Sequence, residues 1–431
     1  MRQANKGGGI PREAPQRGKR KHWTADAMRG SRGAGCARQG EMRQMEELGF
    51  TEVYRAYRKS KRGHLDSPGA LSWMCDPASR CASLARKLES RSYEFGPYHD
   101  FYVHEPKERL VQAVCFEGKV AQHAVCDEAL YPAFTRRMVA DNSAVQVGKG
   151  THYGLDRLSR DMRRYFFSRK AADNEARRAA GLPYRGMAEW DYADGWVLKG
   201  DYSKYFYSLR HDECKRVCRR ALDSWDEGAL DKVGWLLDRI IDSTPDPGIP
   251  IGNQSSQLIA ILYADELDHM MKDELGMMYG RYMDDFYAIS SNKAELRRVL
   301  RRIEEWSASV GLTLNGKTHI FPLRNGIDFL GFHTYLTDTG KVVRKVRKKS
   351  IGNEKRRIRD QRKEYERGER SLESVAQSYA SWCGHIAHGD TYHLRVRMDA
   401  YLLGYFPELE DVVKVAKGRR DGYSRKPASR R

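Results

Sequence analysis

The chain has 431 residues, of which 40% are hydrophobic, so it is long enough for two or three subdomains with a substantial core. Its 24 Tyr, 13 Phe and 8 Trp exclude a chain that is disordered throughout, and no apolar run approaches the length of a membrane span. The net charge of +19 favours a polyanionic partner over a membrane.

The positive charge is concentrated in three segments. Residues 1–40 carry a net charge of +8, residues 341–370 carry +9 and residues 414–431 carry +7, so the rest of the chain is at −5. A nearly neutral body with basic ends is typical of a protein that wraps nucleic acid. A simple contribution to solubility is the alternative.

The first 40 residues and the spacing of the cysteines indicate in which cellular compartment the protein is expected to lie. Residues 1–40 are rich in Gly and Arg and are predicted to be disordered; no apolar segment follows them, so no secretory signal is predicted. The eight cysteines include no CxxC pair, which fits a reducing cytoplasm. Cys214 and Cys218, with His211, would suffice for part of a zinc site, but buried thiols are the favoured interpretation.

The first half of the chain reads as helices around one hairpin. Apolar spacing predicts helices from Glu41 to about Trp73, and FYVHEPKERLVQAVCF, residues 101–116, predicts two strands around a turn at 105–107. A helix is predicted over Ala121–Met138. Residues 168–190 are polar with a Gly-Leu-Pro break and read as an inserted helix and loop.

The second half alternates short strands and helices. The predicted elements, in chain order, are a strand at Trp196–Lys199 ending before Asp201, a helix at Leu209–Trp225, a turn at Gly248–Asn253, a helix at Ser255–Met270, strands at Met277–Met283 and Phe286–Ser290, a helix at Lys293–Val310, and strand-like runs at Thr318–Leu323 and Ile327–Tyr335. The remaining hundred or so residues read as helical and basic.

Two adjacent carboxylates, Asp284 and Asp285 in GRYMDDFYAIS, are predicted to join two strands. They form either a solvated turn or part of a cation site. Asp201, at the end of another strand, is the third candidate ligand, with a helix N-cap as its alternative role. Three carboxylates at neighbouring strand ends can hold two Mg²⁺ ions, with Mn²⁺ as a substitute, and such a pair supports attack by a 3′-hydroxyl and loss of pyrophosphate.

Other residues fit nucleotide chemistry, each with a blander alternative. Phe206 could lie under a sugar and exclude a 2′-hydroxyl, or be a core residue. Lys107 and Arg109 could grip a triphosphate, or lie in an exposed basic turn. The segment from Gly252 to Gln257 forms the start of a helix, and a base pair could lie against it. Lys317 could donate a proton to pyrophosphate, or be a surface lysine.

The order of these segments resembles the palm of reverse transcriptases. LKGDYSKYFYSL, GIPIGNQSSQL, RYMDD and GIDFLGF resemble the first carboxylate motif, the motif behind the nascent base pair, the second carboxylate motif and the primer grip. The resemblance covers about residues 45–395, and residues 93–126 with the GKGTH of 148–152 resemble the fingers. It implies an α+β right-hand polymerase with Asp201, Asp284 and Asp285 as catalytic metal ligands and Phe206 as the sugar gate.

The same resemblance implies domain bounds and a nucleic-acid path. They are basic tails at 1–40 and 414–431, N-terminal helices and fingers at 41–195, a palm at 196–335 and a helical basic thumb at 336–413. The residues expected to contact template RNA, cDNA or their backbones are Lys149, Phe329, Leu330, Gly331, Arg344, Lys345, Arg347, Lys348, Lys349, Arg356 and Arg357. No RNase H domain fits in the remaining length.

The motif IGNQSSQ narrows the resemblance. Ile251 stands before Gly252 where many group II intron and retron enzymes have Gln, and Gln257 ends the motif; both features resemble diversity-generating retroelements, which copy RNA with errors at adenines. That role implies dNTPs and a small basic accessory protein as partners, and looser support of the nascent pair. Phage-defence reverse transcriptases share the motif, and a non-catalytic RNA-binding scaffold is the third alternative.

Overall fold

The computed structural model of the chain describes residues 48–103, 108–225 and 227–411. These residues all lie in one unit, Met45–Arg431. The two predicted basic tails, residues 41–47 of the predicted helical region, and the predicted hairpin turn at 105–107 with Lys107 lie outside the described residues.

Three helices begin the described chain: α1 (Phe50–Ser60), α2 (Pro68–Cys75) and α3 (Pro77–Glu89). The side chains of Ser67 and Asp76 accept the N–H groups of Ala70 and Ser79, at 3.3 and 3.2 Å, so both α2 and α3 start with an N-cap followed by proline. The helices predicted up to Trp73 are confirmed, and α3 was not expected.

A two-stranded antiparallel hairpin follows, β1 (His99–Val103) with β2 (Arg109–Ala113), as predicted. Next come α4 (Phe116–Val125), a π-helical turn at Cys126–Leu130, and α5 (Tyr131–Arg137), which together confirm the helix predicted over 121–138. Helix α6 (Thr151–Ala179) has 29 residues, so the predicted insert at 168–190 is the far end of a longer helix and an irregular segment after it.

The larger part of the predicted palm, up to Pro322, contains these strands and α-helices in chain order: β3 (Trp196–Asp201), α7 (Tyr205–Ser208), α8 (His211–Ala221), α9 (Glu227–Ile241), α10 (Gln254–Tyr263), α11 (Asp265–His269), β4 (Met278–Tyr282), β5 (Asp285–Ser290), α12 (Lys293–Ser309) and β6 (His319–Pro322). The four strands form an antiparallel sheet in the order β4-β5-β3-β6. Helix α9 was not expected.

Alternation along β3 and β5 explains why this sheet is buried on both faces. Leu198 and Phe286 belong to a hydrophobic cluster with α8–α12 and the N-terminal helices, whereas Val197 and Tyr287 belong to a second cluster with α6 and the C-terminal elements. Successive side chains of a strand point to opposite faces, so one short sheet separates two cores. The catalytic candidates lie at the end of this doubly covered sheet.

A second sheet and three helices complete the described chain: β7 (Ile327–Phe329), β8 (Phe332–Leu336), β9 (Val342–Val346), α13 (Lys348–Glu366), α14 (Leu372–Ile386) and α15 (Tyr392–Tyr405). The run 327–335 is thus a hairpin of two strands. The basic run from Lys341 was expected to be helical, but its first part is β9, because Val343 and neighbouring residues pair with β8. The fold is α+β. None of the helices described here is long and apolar enough to cross a membrane.

Candidate active site

Two predicted ligands come together through strand register. Asp201 is the last residue of β3 and Asp285 the first of β5, and the two are directly paired in the antiparallel ladder. Paired residues of neighbouring strands project from the same face of a sheet, so their carboxylates share one edge. Gly200 precedes Asp201 and leaves room for the ring of Phe286, since a Cβ there would lie 2.1 Å from that ring.

Asp284 lies in the two-residue turn between β4 and β5. Tyr282 pairs with Asp285, so the turn consists of Met283 and Asp284; the expectation that Asp284 and Asp285 form it together was off by one residue. Met283 has φ of +57°, a conformation that hairpin turns of this length usually assign to glycine. The turn presents Asp284 beside the ends of β3 and β5.

Burial, and then the negative charge of Asp201, raise the pKa of Asp284 from 3.8 to about 6. A hydrogen bond between the two carboxyl groups acts in the same direction. The positive charge of Arg109, on the β1–β2 hairpin, acts in the opposite direction. Asp284 is therefore a carboxylate whose burial favours its protonated form.

Asp285 faces a buried cation that the sequence analysis did not single out. Lys199, two residues before Asp201 and on the same face of β3, forms an ion pair with Asp285, and its ammonium lies 5.3 Å from the centre of the Phe329 ring. Its side chain is 14% exposed, and this burial lowers the lysine pKa to about 8. A lysine spaced by two from a strand-end carboxylate was the available signal.

The carboxylates fit a divalent cation chemically, although they are paired with other groups here. Oδ1 of Asp285 pairs with the ammonium of Lys199, and Asp284 and Asp201 share a hydrogen bond. Over the described ranges, no three His, Cys, Asp or Glu side chains are already arranged as a metal site. Hard carboxylate oxygens at one sheet edge are the donors that Mg²⁺ prefers.

The turn before α10 contacts the β1–β2 hairpin directly. The carbonyl oxygen of Ile251 accepts the backbone N–H of Gln112 at 3.0 Å. Gly252 has φ of +122°, and a Cβ there would lie 2.9 Å from Val111 Cγ1, so both conformation and space call for glycine. Gln257 is exposed on the first turn of α10.

Phe206 lies on α7, just beyond Asp201, and is half-buried against the first cluster. Its carbonyl oxygen accepts the N–H of Ile249 at 2.9 Å, which ties α7 to the same turn. This bond holds Phe206 near the turn that contains Ile251 and Gly252, and the role of Phe206 as a sugar gate stays a prediction.

Lys317 is exposed in the turn before β6. That turn is joined to the carboxylate edge, because the N–H of Asn315 donates to the carbonyl oxygen of Asp201 at 2.7 Å. Among the described residues, the ammonium of Lys317 forms no hydrogen bond or ion pair with the three carboxylates. The predicted role of Lys317 stays a prediction.

The predicted primer grip is the β7–β8 hairpin. Leu330 and Gly331 form its turn, with φ of +47° and +90°. Phe329 is buried, with its ring centre 5.3 Å from that of Tyr287, the residue two after Asp285. A Cβ at Gly331 would lie 3.2 Å from His385 on α14, so the hairpin is wedged between the palm sheet and the C-terminal helices.

The predicted backbone-binding cations fall into two groups. The first is engaged within the protein: Lys149 donates to the carbonyl of Asn142 at 3.0 Å, and Arg344 donates to Leu155, Asp156 and Ser159 of α6. The second group is exposed at the start of α13 or just before it: Lys345, Arg347, Lys348, Lys349 and Arg356. Arg357 is half-exposed and pairs with Glu354 at 3.2 Å.

The alternative zinc site is not formed. Burial raises the pKa of both Cys214 and Cys218 well above the ordinary thiol value, so they are protonated core residues. Nε2 of His211 lies 2.8 Å from the carbonyl oxygen of Gly248.

Sequence reasoning also missed Arg281, Asp268 and Asn142, which lie behind the catalytic turn. Arg281 is completely buried and pairs with Asp268 at 2.6 and 2.7 Å. The available signal was an arginine inside an otherwise apolar strand, since a buried charge needs a partner.

Part of the chain matches a known protein family. Residues 189–334 match the family described as Reverse transcriptase (RNA-dependent DNA polymerase). No curated protein matches the chain. Among solved structures, the chain is similar to apo telomerase from Candida tropicalis, at 13% identity and a TM-score of 0.42 over 58% of this chain and 49% of that one.

A second similar structure is telomerase from Candida albicans in complex with the TWJ fragment of telomeric RNA, at 11% identity and a TM-score of 0.43. That match covers 59% of this chain and 48% of the telomerase chain, so the chain spans about half the length of these two structures. The matched family segment contains β3, the turn before α10, the Met283–Asp284 turn and the β7–β8 hairpin. Residues 189–334 are thus similar to the reverse transcriptase family, whose description is RNA-dependent DNA polymerase.

Proposed function

We propose that the protein is an RNA-directed DNA polymerase that makes cDNA from a template RNA and dNTPs. The observation that carries this proposal is the in-register pairing of Asp201 with Asp285, with Asp284 in the adjoining turn, inside the family-matched segment. Asp201, Asp284 and Asp285 would hold two Mg²⁺ ions, or Mn²⁺ in their place. When bound, such ions lower the barrier to attack by a 3′-hydroxyl and stabilise the leaving pyrophosphate.

The chain's own residues supply the positioning that phosphoryl transfer needs. Arg109 brings positive charge toward Asp284, where a triphosphate would lie. Phe206, tied to Ile249, limits the space beside the sugar. The Gly252 turn, bonded to β2, supports the nascent base pair from behind, and the exposed cations at the start of α13 hold the duplex backbone.

The direct test uses purified protein with an RNA template, a DNA primer, dNTPs and Mg²⁺. Wild type should extend the primer, and an Asp284→Ala, Asp285→Ala double variant should not, while both bind the RNA equally. Asp338→Ala, which removes an exposed carboxylate from the β8–β9 turn, is the matched control and should extend normally. Equal extension by the double variant would refute the assignment of the carboxylates. Equal RNA binding without extension by wild type would favour a non-catalytic scaffold.

For the biological role, we propose error-prone copying in a diversity-generating retroelement, with a small basic accessory protein as partner. The residues that support this are Ile251 and Gln257, which flank the turn behind the nascent pair. Sequencing of cDNA from cells carrying the native flanking DNA should give copies of a nearby RNA with substitutions at adenines. Faithful, repetitive or untemplated cDNA would instead favour a phage-defence role for the same polymerase.

A further inference from the structure

Behind the Met283–Asp284 turn lies a buried ion pair to which no role has been assigned. Arg281, the last but one residue of β4, is completely buried, and so is Asp268 of α11. Nε and Nη2 of the guanidinium donate to the two oxygens of Asp268, at 2.7 and 2.6 Å. This bidentate geometry fixes the plane of the guanidinium and leaves its remaining donors pointing in defined directions.

One of those donors reaches the catalytic turn. Nη1 of Arg281 donates to the carbonyl oxygen of Met283 at 2.9 Å, and Nη2 also donates to the carbonyl of Ile261 on α10, at 2.9 Å. Met283 is the residue in the left-handed conformation, which a side chain bearing a Cβ adopts only when its surroundings hold it there. The next residue is Asp284, so the bond lies one peptide away from a predicted metal ligand.

Asp268 is itself held from three sides. The hydroxyl of Tyr279 donates to its Oδ1 at 2.8 Å, and the amide of Asn142 donates to its Oδ2 at 3.2 Å. Asn142 belongs to a loop that is also bonded to β4, since the N–H of Ser143 donates to the carbonyl oxygen of Arg281 at 2.9 Å. The guanidinium is therefore braced by α10, α11 and the loop before α6.

We propose that Arg281, held by Asp268, is a positioning residue for the catalytic turn. It fixes the Met283 carbonyl in the left-handed turn and thereby sets where Asp284 presents its carboxylate to a divalent cation. The inference rests on the proposed function in that Asp284 is taken as a metal ligand. The bond from Nη1 to the Met283 carbonyl is the contact through which the buried ion pair acts on the turn.

The test separates positioning from stability by three measurements on each variant: thermal melting, Mn²⁺ binding by electron paramagnetic resonance, and single-nucleotide extension with template–primer affinity. Arg281→Lys keeps the charge, but one ammonium cannot reproduce the planar set of four bonds. Arg169→Lys is the control, because it removes another bidentate arginine, paired with Asp194 at 2.7 and 3.2 Å, away from the turn.

We expect folded Arg281→Lys to bind Mn²⁺ at least fivefold more weakly and to lose at least tenfold in kcat, while template–primer affinity stays within twofold. Arg169→Lys should match wild type in all three. If Arg281→Lys does not fold, Arg281→Met with Asp268→Asn removes both charges together and serves in its place, with the same losses expected.

Wild-type Mn²⁺ affinity and kcat in either folded variant would overturn the inference, as would equal losses in the Arg169→Lys control. The Mn²⁺ measurement needs no turnover, so it tests the positioning role of Arg281 even if wild type makes no DNA. An absence of DNA synthesis by wild type would refute the polymerase proposal. The positioning of Asp284 would then be judged on metal binding alone.

Discussion

The backbone N–H of Gln112, on the exposed β1–β2 hairpin, donates to the carbonyl oxygen of Ile251 at 3.0 Å. This bond joins the predicted fingers to the turn behind the nascent base pair, 139 residues later in the chain. Because the bond uses main-chain atoms only, it fixes the position of the turn without depending on which side chain stands at 251.

The hairpin that makes this bond also packs against Gly252, so it restricts which residue can stand at position 252. Gly252→Ala would place a methyl group 2.9 Å from Val111 Cγ1 and force alanine to φ of +122°. We expect kcat/KM for dNTPs to fall about tenfold, which corresponds to about 1.4 kcal/mol of transition-state stabilisation. Adding Val111→Ala should recover part of the loss by relieving the overlap but not the backbone strain.

Steady-state kinetics on single-nucleotide extension would measure both changes. Gly234→Ala is the control, because nothing lies within 4 Å of that added methyl on α9 and alanine favours the helix. Normal kinetics in Gly252→Ala would show that the turn adapts and does not support the pair.

The raised pKa of Asp284 predicts a pH-dependent stability. Between pH 3.8 and about 6 the folded protein binds a proton here that the unfolded chain has released, so this group's contribution to stability falls as pH rises through that interval. Asp284→Asn carries no such proton and should escape the fall. In chelator, the variant should gain on the order of 1–3 kcal/mol over wild type above pH 6, with little difference near pH 4.

Denaturant unfolding at several pH values would measure this difference. Asp338→Asn, at an exposed turn, should follow wild type throughout. A constant difference between Asp284→Asn and wild type across the whole range would mean that Asp284 is not protonated in the folded state.

A residue of this site could be predicted from the sequence when its role depends on neighbours in the chain, and not when it depends on contacts with distant segments. Asp201 and Asp285 could be singled out from the sequence because each adjoins an apolar strand, and the observed register pairs them. The fold class followed from the order of the motifs and their resemblance to the palm of reverse transcriptases. The exact turn was not predictable, since Asp-Asp is a common turn pair and only the observed register places Met283 in it.

The missed features all depend on contacts between distant segments. The run from Lys341 has as many cations as a solvated helix, and only pairing with β8 makes it a strand. Arg344 looked like a phosphate ligand by composition, but α6 supplies its partners. Lys199 stands out because its ammonium lies over the ring of Phe329, which is 130 residues away in the sequence. The local sequence shows where such cations stand in the pattern, but not which distant groups contact them.

Phe206 should control the choice of sugar. Phe206→Ala would open the space next to α7, so we expect kcat/KM for ribonucleotides to rise relative to deoxynucleotides by on the order of 10², as for removal of one bulky contact in an apolar site. Phe167→Ala, at an exposed position on α6, is the control. An unchanged ratio in Phe206→Ala would place the ring in the core and not beneath the sugar.

The two groups of basic residues should respond differently to mutation. Lys348→Gln with Lys349→Gln removes two exposed cations, so the salt dependence of template–primer binding should weaken by about 1–2 in the slope of log K against log salt. Arg344→Gln should leave that slope unchanged and lower the melting temperature, because it breaks the bonds to α6. Fluorescence anisotropy at several salt concentrations distinguishes these results, and a reduced slope in Arg344→Gln would contradict the structural role.

Ile251 is the residue through which the proposed low fidelity can be tested. Ile251→Gln leaves the main-chain bond from Gln112 in place and adds a side-chain amide beside the nucleotide sugar. A hydrogen-bonding side chain discriminates between correctly and wrongly placed substrates much better than an apolar one. We therefore expect fewer substitutions at template adenines, with kcat for correct nucleotides within a few-fold of wild type.

Sequencing of cDNA made on one defined RNA would give the error rate at each base. Ile251→Leu, which keeps the apolar character, should retain the wild-type errors and thus separate polarity from shape. Unchanged adenine errors in Ile251→Gln would remove residue 251 from the account of fidelity and leave Gln257, exposed on the first turn of α10, as the difference in this motif still to be tested. Because both residues flank the one turn that β2 holds in place, the pair of variants would show whether accuracy depends on that turn at all.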